Sequence, residues 1–396
     1  MPDALAYVPY GRTWTSPFAR WQGSLSGAHA IELAAATAAA RMGAWDLDAD
    51  AVDAGVLGTT IPQAGVFYGL PWLASLAGLG HLAGPTISQA CATGARVIET
   101  AAREVMGGGS KAVLCVTADR TSNGPHIYYP DPDGPGGTGR TEDWVLANFD
   151  RDPATGLAMV DTAENVAAKH GIDRAAQDEV TIRRYEQYGS AEAAALRAAV
   201  TAPVTVGRGR RAATLAADEG VTPLDDDKVR GLAPVREGGT VTYAGQTHPA
   251  DGNAGMLVTD GATARALSAE PVAVRLLAFG QARVAPAYMP EAPVPAARRA
   301  MEAAGVSAGD LDLVTSHNPF AVNDIVFSRE VGVPLDRMNV AGCSLVYGHP
   351  QGPTGMRAVA ELIEALAARG GGTGLFQGCA AGDSAMAVVL SVDDAR

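Results

Sequence analysis

The stretch "ISQACATGARVIETAAREVMGGGSKAVLCVTAD", residues 87–119, leads from a short apolar run through a helix into a second apolar run. Ala95, Val97, Ile98, Ala101, Ala102 and Val105 recur at helical spacing, and three glycines stop the helix. "KAVLCVTAD" (111–119) is apolar without alternation, the pattern of a strand covered on both faces. The same order returns near the end of the chain. "PTGMRAVAELIEALAARGGG" (353–372) is a helix closed by three glycines, and "TGLFQG" (373–378) stands where "KAVLCV" stood. One helix–GGG–strand module in each half reads as an internal duplication, with two unrelated βαβ units as the alternative.

Working outward, "AHAIELAAATAAARMG" (28–43) predicts a helix, "DAGVLGTT" (53–60) a buried strand, "GVFYGLPWLASLAGL" (65–79) a helix and "GPTISQA" (84–90) a strand. In the second half "PAARRAMEAAGV" (295–306) and "AVNDIVFSREVGV" (321–333) predict helices around the strand "DLDLVTS" (310–316). The alternation predicts an α/β fold of two layered halves with helices on both sides of a sheet. They span residues 1–120, closed by about 249–268, and residues 269–396. Residues 121–248 have another texture, with "YYPDPDGPGGTGR", helical stretches such as "AENVAAKHG", and the basic run "VGRGRR". This segment reads as an inserted, mainly helical loop domain serving as a binding lid.

Composition narrows the function. In 396 residues, 47% are hydrophobic and 18% charged, which marks a soluble globular protein. A net charge of −13 argues against nucleic acid and membrane surfaces as partners. No signal-peptide pattern opens the chain, and no apolar run reaches the roughly 18 residues of a membrane span. The four cysteines, too few to staple a chain of this size, read as thiols in a reducing cytoplasm.

The chemistry-bearing candidates are a few. Cys91 sits at a strand-to-helix hand-over, where the helix N-terminus is expected to draw its pKa from about 8.5 toward about 7; a buried structural cysteine is the alternative. His349, in "VAGCSLVYGHPQGPTGMR" (340–357), is a candidate base, or else a loop histidine bonded to its own turn. His317 opens "HNPFAVND" at a strand end, as a functional group or a polar residue near a helix cap. Cys379, between Gly378 and Ala380-Ala381-Gly382, is expected in an unshielded bend. His248 reads as a loop residue able to face a ligand, and Arg208 and Arg211 as a phosphate clamp or a solvated turn. No metal-ligand spacing and no phosphate-binding loop is present in the sequence.

Nearly end to end, these blocks resemble the thiolases, the acetyl-CoA C-acetyltransferases and 3-ketoacyl-CoA thiolases. "ISQACATGARVI" resembles the family's nucleophile block, "MVDTAENVAAKHG" its loop-domain signature and "HNPFAVND" its Asn/His-x-x-Phe-Ala element. "GHPQGPTGMR" resembles its Gly-His-Pro-x-Gly-x-Ser/Thr-Gly signature, and "CAAGD" its closing Cys-x-Gly-Gly-Gly. The resemblance implies a duplicated αβαβα layered fold with an inserted loop domain. It also implies cleavage of 3-oxoacyl-CoA by CoA, or the reverse Claisen condensation, through an acyl group carried on Cys91. By the same resemblance His349 would take the Cys91 proton, and Cys379 would be the second acid/base. His317 would hold the water or carbonyl oxygen of the oxyanion site with His349. The N–H groups of Cys91 and Ala381 would form a second oxyanion hole, and Met159 and Thr247 would contact CoA. No permanent cofactor is implied; CoA is a substrate, and the family is dimeric or tetrameric. "AGCSLVYGHP" departs from the usual "NGGAIALGHP", so Cys343 and Tyr347 are expected to alter the walls of the site. A decarboxylating ketosynthase, which has no need of the second thiol Cys379, and a non-catalytic acyl-CoA-binding subunit, a kind that usually loses the nucleophile retained here as Cys91, are the rival readings.

Overall fold

The computed structural model describes residues 5–207, 212–223 and 225–394. Two four-strand units repeat one pairing scheme. In the first half Ala54–Gly58 runs parallel to Ala112–Arg120, which pairs antiparallel with Ala250–Thr259, and that strand meets Ala6–Pro9 antiparallel. In the second half Leu313–His317 runs parallel to Gly372–Ala380, which pairs antiparallel with Ser384–Asp394, and that strand with Val272–Arg283. Ala6–Pro9 and Val272–Arg283 then pair with each other, joining both units in an 11-stranded sheet. The duplication read from the glycine-stopped helices is therefore present in the strand order. Each unit holds antiparallel as well as parallel pairs, and in the second unit the antiparallel pair has a local reason. Only Ala381, Gly382 and Asp383 separate Gly372–Ala380 from Ser384–Asp394, too short a link for a parallel crossover.

The helices Thr93–Met106 and Gly352–Ala368 pack on each other, and the second touches strands of both units. Ala30–Ala44 covers Ala112–Arg120 on the outer face of the first unit, and Pro293–Ala304 covers Val272–Arg283 on that of the second. The order helix, sheet, helix, sheet, helix is the layered fold expected from the sequence. The central contact depends on Gly94, where a Cβ would lie 2.6 Å from the Met356 backbone nitrogen and 2.7 Å from the Gly352 carbonyl oxygen. Any larger residue there would push apart the two helix starts that follow Cys91 and His349.

Two elements are shorter than their sequence pattern. "GPTISQA" is a strand only over Thr86–Ile87, and "GVFYGLPWLASLAGL" is α-helical only over Gly69–Leu76. Pro71 is the third residue of that helix, within the first turn, where its missing N–H costs no helical bond. Between Arg120 and Ala250 the chain forms the helices Met159–His170, Arg174–Gly189, Ala191–Val200 and Asp226–Gly231. Two small hairpins, His126–Tyr129 with Arg140–Asp143 and Val204–Val206 with Ala213–Leu215, accompany them and were not foreseen.

Arg357 ties this insertion to the central layer. Its guanidinium donates to both Asp218 carboxylate oxygens at 2.7 and 2.8 Å and to Glu361 Oε1 at 2.8 Å. It lies 3.6 Å from the ring centroid of Tyr347 and 4.6 Å from that of Phe18. Removing one partner of a buried ion pair strands the other charge. Arg357→Met is therefore expected to lower unfolding stability by about 3–5 kcal/mol, measured by chemical denaturation. A change below about 1 kcal/mol, the scale of an exposed pair, would contradict this reading.

Candidate active site

Two turns and a strand end deliver the reactive side chains. Cys91 lies between the strand Thr86–Ile87 and the helix that begins at Thr93, with Ala92 as the cap. Ala90 takes φ 44°, a left-handed corner that turns the chain sharply just before the thiol. His349 precedes the helix Gly352–Ala368, whose cap residue Gln351 has φ 68° and ψ −107°. Gly348, at φ 88°, lets that turn press on its neighbours, since a Cβ there would come 2.7 Å from His248 Nε2. His317 ends the strand Leu313–His317. Asp119 braces the arrangement by accepting from the N–H groups of Thr60 (2.7 Å), Ile61 (3.0 Å) and Gly352 (2.9 Å). One carboxylate thus anchors a cavity wall and the start of the helix behind His349.

The imidazoles of His317 and His349 stack with centroids 3.9 Å apart and planes 19° apart. Cys91, His317 and His349 each bring a potential ligand atom within 4.8 Å of the others. A zinc ion held at about 2.0–2.1 Å needs its ring nitrogens aimed at one point. Rings stacked nearly parallel direct their lone pairs side by side, so the group does not fit a zinc site. His317 Nδ1 lies 3.0 Å from Ser344 Oγ and His349 Nδ1 lies 2.6 Å from Thr354 Oγ1, while both Nε2 atoms are buried with no hydrogen-bond partner among the described residues.

Electrostatics overturns one expectation. Burial pushes the Cys91 thiol up to about 12, although the N–H groups of Ala381 and of Cys91 itself pull the other way. The helix starts two residues beyond Cys91, and its partial charge does not offset desolvation. Burial likewise drives His349 well below the ordinary imidazole value, helped by His317, and drives His317 down to about 3. The resting site is a neutral thiol facing two neutral imidazoles. Because thiolate is the reactive form and appears only as pH rises, alkylation of Cys91 in the free protein should climb about tenfold per pH unit from about pH 7 to about pH 10. A plateau near neutrality in a rate-versus-pH series would show a depressed pKa instead.

These groups open on a cavity of about 880 Å³ whose lining includes Cys91, His317, His349 and Ala381. The insertion supplies Trp144, Leu146, Phe149, Met159 and Arg236 to the same walls. The Thiolase, N-terminal domain family matches residues 12–262, and the Thiolase, C-terminal domain family matches residues 270–392.

This chain belongs to the thiolase family.

Among curated thiolase relatives, the acetyl-CoA acetyltransferase of Paracoccus denitrificans is 30% identical over 390 residues, covering 95% of this chain and 96% of that one. The Escherichia coli (strain K12) acetyl-CoA acetyltransferase is 28% identical over 380 residues, covering 93% and 95%. Among solved thiolase structures, the Bacillus anthracis acetyl-CoA acetyltransferase superposes with TM-score 0.91 at 26% identity, covering 98% of this chain and 100% of that one. Human mitochondrial 3-ketoacyl-CoA thiolase in complex with CoA gives TM-score 0.88 at 26% identity, with 98% of each chain covered.

In this thiolase the cavity gathers Cys91, His317, His349, Ala381, Met159 and Thr247. His248 is not among the lining residues; its carbonyl accepts the His349 N–H at 2.8 Å, and its Nε2 is buried with no partner among the described residues. Arg208 and Arg211 lie outside the described residues. Cys379 departs from the expected open bend. It belongs to the strand Gly372–Ala380, pairs with Ala385, and is fully buried. Its sulfur accepts from Asn323 Nδ2 at 3.3 Å, and it lies close enough to Cys91 for charge on that sulfur to raise its pKa. Cys343 and Tyr347 do not line the cavity. Cys343 accepts from Asn318 Nδ2 at 3.3 Å, and Tyr347 packs on Arg357, so both act behind the wall.

Sequence reasoning passed over Gln351. It occupies the free position of Gly-His-Pro-x-Gly, lines the cavity, and its Oε1 accepts from the Cys91 thiol at 3.3 Å. The motif marked the position, but nothing local marked its partner, 260 residues away in the chain.

Proposed function

We propose that this thiolase is an acyltransferase that cleaves 3-oxoacyl-CoA with CoA and runs the same steps in reverse as a Claisen condensation. The observation that carries this reading is the meeting of Cys91, His317 and His349 within 4.8 Å at one cavity. Cys91 passes its proton to His349 Nε2 and attacks the 3-oxo carbon. The N–H groups of Cys91 and Ala381 receive negative charge on oxygen, each such donor being worth about 3 kcal/mol of barrier. The C2–C3 bond breaks, and Cys379 gives its proton to C2 of the departing acetyl-CoA enolate. Incoming CoA-SH returns a proton to Cys379, its thiolate attacks the Cys91 thioester, and His349 reprotonates Cys91. The acyl-CoA reaches this point along the walls supplied by Met159, Thr247 and the Trp144–Asp150 segment.

The closing CoA contacts include Met159 and Thr247, and the insertion serves as the CoA-binding lid. The test is thiolysis of a panel of 3-oxoacyl-CoAs followed by loss of the enolate absorbance; no turnover with any chain length rejects the reading. A cytoplasmic setting fits four free thiols, and no helix among the described residues is long and apolar enough to cross a membrane. A homodimer or homotetramer is supported by Phe67 and Tyr68, which are 93% and 70% exposed. Thr86–Ile87, two residues long, also lies at the sheet edge. Light scattering is expected to give two or four times the mass of the chain, and a monomer at all concentrations would refute self-association.

A further inference from the structure

Behind the stacked imidazoles runs a buried polar chain that the reaction steps leave unused. Arg184 and Asp324 are both fully buried, and Arg184 Nε donates to Asp324 Oδ2 at 2.8 Å. Arg184 also donates to the carbonyls of Leu335 and Met338, at 3.0 and 2.8 Å. The Asp324 carboxylate in turn accepts from Asn318 Nδ2 at 2.8 Å, from Asn339 Nδ2 at 3.2 Å and from Ser316 Oγ at 2.9 Å. A carboxylate facing a guanidinium and three further donors can only accept. The Asn318 amide is therefore oriented with its NH2 toward Asp324 and its Oδ1 on the opposite side.

Asn318 Oδ1 meets Ser344 Oγ at 3.2 Å and accepts from the Leu345 N–H at 3.3 Å. Ser344 Oγ has two other close contacts, the Asn318 N–H at 3.2 Å and His317 Nδ1 at 3.0 Å. Three contacts converge on a hydroxyl that owns one hydrogen. The Asn318 N–H supplies one. If the hydroxyl hydrogen goes to Asn318 Oδ1, the contact with His317 needs a hydrogen on Nδ1. If the hydroxyl instead points at His317, two oxygen lone pairs face each other with no proton between them, a costly arrangement in a buried site. Only the Nδ1–H form of His317 gives every contact its hydrogen.

Resting on the thiolase reading of this cavity, we propose that the relay Arg184–Asp324–Asn318–Ser344 locks His317 as the Nδ1–H tautomer. His317 then presents a bare Nε2 lone pair to the acyl site, and of the two oxygens that the family resemblance offered this position, water or substrate carbonyl, the lock selects the water. A lone pair repels a developing oxyanion. The oxygen it holds must carry hydrogens: one O–H goes to His317 Nε2 and the other to the substrate carbonyl. The bare Nε2 is buried with no hydrogen-bond partner among the described residues and belongs to a cavity-lining residue, so the oxygen it accepts from would sit in the cavity beside His349. His349 differs, because among the described residues Thr354 Oγ1 makes no other side-chain hydrogen bond to fix its hydrogen, and that imidazole is free to give or take a proton at Nε2. The two stacked rings thus divide the work: His349 moves the proton, and His317 only accepts. Ser344 and Asn318 are positioning residues in this scheme.

Nitrogen-15 NMR of the full-length protein labelled at histidine tests this directly, since the chain has only seven histidines. The His317 signals are assigned by their loss in His317→Gln. The expected result is a protonated Nδ1 and an unprotonated Nε2; a proton on Nε2, or a mixture of tautomers, overturns the proposal. In Ser344→Ala the lock should be released, with Nε2–H appearing. Its kcat should fall about 10- to 100-fold at nearly constant KM, the usual effect of losing a group that orients an imidazole. Ser344→Thr, which keeps the hydroxyl, should restore the tautomer and most of the rate. An Ser344→Ala spectrum identical to the parent overturns the relay. A locked tautomer in a protein with no thiolysis supports the relay and rejects the thiolase reading, so the two failures are distinguishable.

Discussion

Cys91→Ser is expected to lower the thiolysis kcat by at least about 10⁴-fold, with substrate binding retained. The hydroxyl fits where the thiol was and still reaches Gln351 Oε1, so the fold and the cavity survive the change. What is lost is the nucleophile. In the proposed mechanism a thiol already pushed up to about 12 by burial surrenders its proton to His349, with the N–H groups of Ala381 and Cys91 favouring the thiolate. An alcohol starts several pKa units higher, and the same donors cannot close that gap. Mass spectrometry of the protein after exposure to acyl-CoA gives the second readout: a thioester adduct on the parent and none on the variant. Turnover within tenfold of the parent would refute the acyl-enzyme.

Cys379→Ala should separate two halves of the reaction. In the proposed mechanism, acyl exchange between an acyl-CoA and labelled CoA uses Cys91 and His349 alone, and should persist. Cleavage and formation of the carbon–carbon bond need a proton at C2 and should fall about 10²- to 10⁴-fold, the range of a positioned acid/base. The Cys379 sulfur, fully buried, accepts the Asn323 amide hydrogen at 3.3 Å and feels charge on the Cys91 sulfur. Loss of acylation in this variant would contradict the division of labour, because it would place Cys379 in the first displacement.

The helix Thr93–Met106 matches its apolar spacing because a helix that buries one stripe against a neighbour must repeat near 3.6 residues. The strand Ala112–Arg120 matches its unbroken apolar run because it is buried from Ala112 through Asp119, with the helices Ala30–Ala44, Thr93–Met106 and Gly352–Ala368 packed against it. Thr86–Ile87 fell short because an edge strand has one neighbour to hold its length, and apolar content alone does not report pairing. At the site, Cys91, His317 and His349 were legible because each sits at the end of a regular element beside small residues. Cys379 misled for the same reason. Its glycine and alanine neighbours look like an open bend in sequence, yet they are what lets the strand pack without a gap around the sulfur. His248 and Tyr347 were legible as residues but not as directions, since a loop's facing is set by what it packs against.

The sequence alone determined the period of each helix and strand, the repeat of one module in two halves, and which thiols and imidazoles the chain has available. These follow from interactions within a few residues, where spacing and turn chemistry decide. The tertiary structure decided protonation and hydrogen-bond direction: a thiol that stays neutral, an amide on Gln351 that meets it, and a serine that sets which nitrogen of His317 carries the hydrogen. Those properties depend on desolvation and on partners brought together from distant parts of the chain, and no local pattern encodes them.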